Sequence, residues 1–385
     1  MNILCLTANN PYGKKNFGGA ETSTRLLAEK LAELGHGSSY MCFGVTPETQ
    51  RMAKQAGVTL TGILKPRGQA YAALRWLARL LQVLQLILIL RLRKIDVVYA
   101  FYELDLLERL LTARRFAPRT KIVMRMAGFH WSFMIDTDPA LKAKYTQMFS
   151  QLDSLNLLHE ALNPMMQKEL DRLDMPDVFK RVFYGDIGTW AQVDRQTPYT
   201  ALDRTPFQIL MASRFTMYQK RQDILIKALA LLPKDADVHV TFVGNGPNLG
   251  PMKELAAARG VADKITFQEF MPQAALWQKM LETNLLCHPA DFEGVSKILL
   301  ESMAVGLPLL TSDVDPINSY VTEGETGFLA PNTPQAWADR IAELMAAPEK
   351  LAHVSERGPA YVADTYSADR NVRIYEKEFR ALSTR

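Results

Sequence analysis

Phe292-Glu293-Gly294-Val295-Ser296-Lys297-Ile298-Leu299-Leu300-Glu301-Ser302-Met303-Ala304 is the stretch on which the reading of this chain turns. Just before it, Asn284-Leu285-Leu286-Cys287-His288-Pro289 is a short apolar run of the kind that forms a buried strand. Glu293 then falls in a loop at that strand's carboxyl end. From Val295 to Val305, Ile298, Leu299, Ser302 and Met303 recur at helical spacing, and Gly306-Leu307-Pro308 supplies a stop. Glu301 is expected about two turns into this helix. Ligands of open α/β sheets bind outside the carboxyl ends of strands, and amides at a helix start suit a phosphate. One carboxylate at the mouth and one deeper could hold two hydroxyl-bearing ends of a single phosphorylated ligand.

The same alternation of apolar runs and helical patterns extends through the chain. Strand-like runs fall at Ile3–Thr7, Ser39–Phe43, Val97–Ala100, Ile122–Met126 and Ser154–Leu158. Five more follow at Gln208–Ala212, His239–Gly244, Ile265–Glu269, Asn284–Pro289 and Pro308–Ser312. Such alternation predicts parallel sheets covered by helices. Ten strands are many for one sheet, and 385 residues suffice for two domains. The irregular, polar segment from Gly185 to Thr205 reads as the linker. The fold class is therefore α/β, with two Rossmann-like domains facing a central cleft.

Bulk properties narrow the function classes. Hydrophobic residues make up 48% and charged ones 22%, as in soluble globular proteins. A net charge of +4 calls for no polyanionic partner, so nucleic acid is not expected. Cys5, Cys42 and Cys287 lie in apolar runs without metal-like or redox-like spacing. The chain opens on a strand, Met1–Thr7, which leaves no stretch for a signal peptide, and a cytoplasmic location is expected. Charge is unevenly spread: between Glu48 and Asp96 there are nine cations and no acid. Within that region Leu80–Leu90 is nearly all aliphatic, with a narrow polar stripe at 75, 79, 82 and 85. Two compatible readings follow: a core helix of the first domain, or a basic apolar face that docks on anionic lipid.

The spacing of Glu293 and Glu301 resembles the E-x7-E motif of retaining GT-B glycosyltransferases, family 4. That resemblance implies that Glu293 contacts donor-sugar hydroxyls and Glu301 the ribose diol. Gly294, Val295, Ser296 and Lys297 would bring backbone to the donor diphosphate. Upstream, Ser213-Arg214 ends a strand and Lys220 follows six residues later, the family's spacing for two cations aimed at the diphosphate. Negative charge grows on the leaving nucleotide as the glycosidic bond breaks, and fixed cations stabilise it. Arg221 replaces the family's usual glycine and could share that role. Gly18-Gly19-Ala20-Glu21 resembles the G-G-x-E segment near the diphosphate and acceptor, and Val243-Gly244-Asn245-Gly246-Pro247 the G-x-G-P turn. His130, after the strand Ile122–Met126, stands where many members carry a histidine near the anomeric centre. The expected catalytic set is His130, Arg214, Lys220 and Glu293. The expected donor-binding set adds Gly18, Gly19, Gly294–Lys297 and Glu301.

By the same resemblance, residues 1–190 with 366–385 would form the acceptor-binding domain and 191–365 the donor-binding domain. The final helix, Asp369–Leu382, would cross back onto the first domain. The donor would be a UDP- or GDP-linked sugar, with no cofactor and no metal, since Asp313-Val314-Asp315 looks like a turn. The acceptor would be a glycan or a lipid-linked saccharide in envelope or exopolysaccharide assembly. Residues 51–94 would meet an anionic membrane at its inner face. Two rivals share the fold: a nucleotide-sugar 2-epimerase, and a non-catalytic sugar-binding relative.

Overall fold

The structure, a computed structural model, describes residues 1–13, 19–64, 75–101, 103–126, 138–175, 178–179, 181–189, 199, 205–216, 219–269 and 271–384. Gly18 and His130 lie outside the described residues. The chain forms two compact units, Met1–Ile187 with Ala368–Arg385, and Gly188–Ser367.

The first unit holds strands β1 (Asn2–Leu6), β2 (Gly37–Cys42), β3 (Thr59–Gly62), β4 (Val97–Phe101), β5 (Lys121–Met126), β6 (Ser154–Leu157) and β7 (Val182–Tyr184). They form one parallel sheet in the order β3-β2-β1-β4-β5-β6-β7. Its helices are α1 (Gly19–Glu33), α2 (Pro47–Gln55), α3 (Arg75–Leu92), α4 (Leu104–Arg114), α5 (Pro139–Phe149) and α6 (Leu162–Arg172). The second unit holds β8 (Phe207–Ala212), β9 (Val238–Val243), β10 (Ile265–Gln268), β11 (Leu285–His288), β12 (Leu309–Ser312) and β13 (Phe328–Ala330). These too are parallel, in the order β10-β9-β8-β11-β12-β13. Its helices are α7 (Gln222–Leu229), α8 (Leu249–Ala258), α9 (Gln273–Leu281), α10 (Lys297–Ala304), α11 (Ile317–Tyr320), α12 (Pro334–Ala346) and α13 (Pro348–Thr365). The architecture is two Rossmann-like α/β units.

The ten expected strands are all present: nine are central, where burial on both faces writes continuous apolar runs, and the tenth, β10, lies at an edge. The three that escaped the reading, β3, β7 and β13, are all edge strands. They are three or four residues long and only partly buried, so they carry little pattern. The last helix, α14 (Ala368–Ser383), belongs to the first unit. Tyr375 and Phe379 are buried there, and the Tyr375 hydroxyl donates to the Gly185 carbonyl at 2.7 Å.

Two helices depart from expectation. Helix α10 begins at Lys297 rather than Val295, so Glu301 lies about one turn in, not two. Its stop is as read: Gly306, at φ 69°, donates to the Met303 carbonyl at 3.0 Å, and Leu307 to that of Ser302 at 2.9 Å. This is the paired-bond C-cap that a left-handed glycine permits. Helix α3 partly inverts the expected amphipathicity. Two members of its polar stripe turn inward: Gln82 is buried and donates to the Leu64 carbonyl, and Gln85 donates to that of Gly62 at 2.7 Å, while Arg79 stays exposed. Leu86, Ile89 and Leu90 join the core, but Trp76, Leu80, Leu84, Leu88 and Leu92 are exposed, from 46% to 78%. Unpaired backbone at the end of β3 explains the inversion, because the glutamine amides supply the partners it needs.

Candidate active site

In the second sheet the strand order reverses between β8 and β11, which are hydrogen-bonded neighbours. Crevices at such reversals are where open α/β sheets bind ligands. The loops leaving these two strands are tied together. Lys220 bridges Ala290, the Arg221 amide donates to the Pro289 carbonyl at 3.0 Å, and the Asp291 amide donates to that of Gln219 at 3.0 Å. The first loop is held from beneath by Gln222, fully buried, whose amide donates to Ser213 Oγ at 3.1 Å and to the Arg214 carbonyl at 3.0 Å. The β9 turn closes against it: a Cβ at Gly244, φ 149°, would lie 2.0 Å from the Ser213 carbonyl oxygen. Only glycine tolerates that backbone and that approach.

These ties bring Lys220 and Glu293 into direct contact as an ion pair. His288, the last residue of β11, completes the cluster. Its Nε2 is 3.0 Å from Glu293 Oε1, 3.3 Å from Lys220 Nζ and 3.4 Å from Ser296 Oγ. Burial, and then the charge of Arg214, pull the Lys220 ammonium down to about 7. An ammonium stripped of water beside a second cation has, among the described residues, one carboxylate to hold its charge, Glu293. Burial and the Lys220 charge push His288 well below the usual imidazole range, so this ring is neutral. Arg214 is exposed, and its guanidinium makes no hydrogen bond or ion pair with a described residue.

Glu301, 6% exposed on α10, accepts from Gln273 Nε2 of α9 at 2.7 Å. The indole N–H of Trp277, one turn further along α9, lies buried near it without a hydrogen bond of ordinary geometry. Burial raises the Glu301 carboxyl to about 7, against the downward pull of Trp277, Gln273 and Lys297. Between the two glutamates, the Ser296 amide donates to the Tyr320 hydroxyl at 3.1 Å. Lys297 Nζ reaches the Gly188 carbonyl at 2.9 Å.

One expectation needs correction. Arg221 is not a free cation: its guanidinium pairs with Asp223 at 2.9 Å and with Asp291 at 2.8 Å, so its charge is already met. Asp291 in turn braces the loop through Arg221 and Asn332. His288 and Tyr320 were missed. A signal for His288 existed, a histidine ending a buried strand five residues before Glu293. Tyr320 arrives from α11 and had none. Gly19 is the first residue of α1, and its neighbour Gly18 is not described.

The first unit carries a smaller polar cluster where its own strand order reverses, between β1 and β4. Glu103 accepts from the Ala8 amide at 3.1 Å, and Glu21 from Asn9 Nδ2 at 2.8 Å. Burial raises the Glu103 carboxyl to about 7. Asp313 of the D-x-D stretch accepts from Asn318 at 3.0 Å in a turn. Among the described residues no three His, Cys, Asp or Glu are grouped as a metal site.

Two parallel α/β units, each with its strand order reversing next to β1 or β8, define a class, the GT-B fold. Residues 18–151 match the family model described as glycosyl transferase 4-like domain, and residues 193–361 that described as glycosyl transferases group 1. One match falls in each unit, and the chain belongs to the family-4-like glycosyltransferases of the GT-B fold. It is 27% identical over 168 residues to alpha-D-kanosaminyltransferase of Streptomyces kanamyceticus, covering 43% of each chain. It is 30% identical over 174 residues to the lipopolysaccharide core biosynthesis mannosyltransferase LpsB of Rhizobium meliloti, covering 43% of this chain and 49% of that one. The matched stretch thus spans less than half the length of these relatives. Among solved structures, HepE of Anabaena in complex with UDP and glucose superposes with a TM-score of 0.76 at 18% identity, over 99% of both chains. Sucrose-phosphate synthase of Thermosynechococcus elongatus gives 0.77 at 16%, over 99% of this chain and 98% of that one. At these identities the likeness establishes the fold.

Proposed function

We propose that the protein is a retaining, metal-independent hexosyltransferase that moves a sugar from a UDP- or GDP-linked donor to a glycan or lipid-linked acceptor. The observation that carries this reading is the convergence of Lys220, Glu293 and His288 at the β8/β11 reversal, with Glu301 one helical turn beyond. Glu301 takes the ribose diol and Glu293 the sugar hydroxyls. Arg214 and Lys220 take the diphosphate, with backbone from Gly294 to Lys297 beside it. In the reaction the bond from the anomeric carbon to the diphosphate oxygen breaks. A bond to the acceptor oxygen forms on the same face, and the acceptor proton passes to the leaving phosphate. Charge building on that phosphate is met by Arg214 and Lys220. Gly18, Gly19 and His130 keep the roles the family resemblance implies, on the first unit.

The neighbour solved with UDP and glucose and the envelope mannosyltransferase relative both favour a nucleotide-sugar donor and an envelope or exopolysaccharide setting. A lipid-linked acceptor is favoured by the nine cations between residues 51 and 94 and by the bare leucine face of α3. Together they suit a peripheral position on the inner face of an anionic membrane. No helix among the described residues is long and apolar enough to cross one.

Incubation with a panel of nucleotide sugars tests the assignment. A transferase releases free nucleotide slowly from one donor, and faster with its acceptor. Interconversion of the sugar would instead assign an epimerase, and no turnover with any donor and acceptor a binding protein. EDTA is expected to leave turnover intact; loss on chelation, restored by Mn²⁺, would overturn the metal-independent assignment.

A further inference from the structure

His288 is 1% exposed, and its ring is closed in by both halves of the cluster. Thr311 Oγ1 donates to its backbone carbonyl at 3.0 Å, which fixes the end of β11. Nδ1 is buried with no partner among the described residues. Nε2 faces one acceptor, Glu293 Oε1, one donor, Lys220 Nζ, and one hydroxyl, Ser296 Oγ. A neutral imidazole has one N–H to place. On Nδ1 it would be an orphan donor in the interior, the rarer and costlier kind. It would also leave the bare Nε2 lone pair against a carboxylate oxygen at 3.0 Å. On Nε2 it donates to Glu293; Nδ1 keeps an unmatched lone pair, and the 3.3 Å contact to Lys220 Nζ sets two donors side by side, both aimed at the same carboxylate oxygen.

With the proton on Nε2, His288 and Lys220 converge on the same oxygen, Glu293 Oε1. No described residue bonds Oε2. Lys220 thus serves two anions in the proposed reaction: Glu293 while the site is empty, and the diphosphate once the donor is seated. When it turns to the diphosphate, Glu293 needs another donor or it will be repelled by the incoming negative charge.

We propose that His288 is a positioning residue: as the neutral Nε2–H tautomer it holds Glu293 in place while Lys220 transfers its contact to the donor diphosphate. The inference rests on the donor-site reading above. It assigns the imidazole no proton transfer. Burial and the Lys220 charge, which keep the ring neutral, are the conditions it requires. Besides Lys220, the charged groups about the ring are Glu293 and, through its charge on Lys220, Arg214.

The test uses the whole chain with UDP and UDP-glucose, or GDP and GDP-mannose, whichever pair the wild type binds. Gln places an amide N–H where Nε2–H stands, whereas Leu removes it. His288→Gln is expected to keep turnover within about fivefold. His288→Leu is expected to lose roughly 100-fold in kcat, as misplacement of a substrate-holding group by about 1 Å does. Its affinity for the free nucleotide should stay within about threefold, while the extra affinity for nucleotide sugar over nucleotide disappears. In ¹⁵N-labelled protein, His288 should show the Nε2–H tautomer unchanged from pH 6 to 8. Near-normal kcat in His288→Leu, or an Nδ1–H or doubly protonated ring at pH 7, would overturn the proposal. Should His288→Leu not fold, His288→Gln and the tautomer still decide it. If the wild type binds no nucleotide, it is the donor-site reading that fails, and the tautomer measurement still judges the Glu293 hydrogen bond.

Discussion

At the residue scale Lys220, Glu293 and Glu301 are charges held largely out of water, and pH is the natural probe. Glu301 is raised to about 7 by burial. The folded state therefore binds more protons than the unfolded one between the ordinary carboxyl range and about 7. Stability of the free protein should fall as pH rises through that window, by up to roughly 3 kcal/mol from this group. A ribose diol wants the carboxylate as acceptor, so nucleotide binding expels the proton. Affinity should weaken as pH drops from 8 to 6 in the wild type. In Glu301→Gln affinity should be weaker throughout, and the part of the pH slope contributed by this group should vanish. Calorimetry on both proteins separates this from titration of the nucleotide itself; identical affinities would remove Glu301 from the site. Arg214 and Lys220 call for a kinetic probe, because the charge they meet grows during the reaction. Arg214→Ala and Lys220→Ala should each lower kcat by about 10²–10³-fold, with a smaller rise in donor KM. Near-normal kcat in both would count against the diphosphate role. The glutamates and cations were legible because their chemistry is carried by spacing along a loop and a helix. His288, Tyr320 and the diversion of Arg221 onto Asp223 and Asp291 were not. Each depends on which side chain a distant element delivers.

At the element scale, α3 shows how local pattern and tertiary setting part company. Counting apolar residues places its leucines inside and Gln82 and Gln85 on a polar stripe. The end of β3 claims those two amides for its own backbone, and the helix turns with them. What remains outside is a stripe at every fourth position, Trp76, Leu80, Leu84, Leu88 and Leu92, with Arg91 and Arg79 beside it, the latter paired with Asp105 of α4 at 3.4 Å, and no acid on the helix itself. Apolar contact plus a few cations at about 1 kcal/mol each suffices for reversible docking on anionic lipid. Vesicles containing anionic lipid should therefore co-sediment the protein at low salt and release it as salt rises. Leu84→Asp with Leu88→Asp should abolish that binding while leaving donor hydrolysis intact. Absence of binding at low salt would sink the docking role. Helix α10 is the opposite case. Its Gly306 stop and its buried Leu299, Leu300 and Met303 follow from the local sequence, and only its first turn came out shorter.

At the scale of the whole molecule, each unit has a complete sheet and its own core. In the second, Trp337, Phe242 and Ile341 are fully buried. A ligand that binds the native site alone stabilises by mass action, about 2.7 kcal/mol at one hundred times its Kd. UDP or GDP at that excess should raise the melting temperature of the unit that holds the site by roughly 5–11 °C, and Glu301→Ala should lose the shift. No shift with UDP, GDP or ADP would argue against a nucleotide donor. Parallel α/β topology, the nine central strands with the edge strand β10, and the spacing of Glu293 from Glu301 were determined by the sequence itself. Burial on both sheet faces writes long apolar runs, and a loop–helix motif needs no distant partner. The edge strands β3, β7 and β13, the inward glutamines of α3, the shared oxygen of Glu293 and the neutral His288 were decided only in the tertiary structure. Each turns on desolvation and hydrogen-bond supply, which residues far apart in the chain impose on one another only once they are packed together.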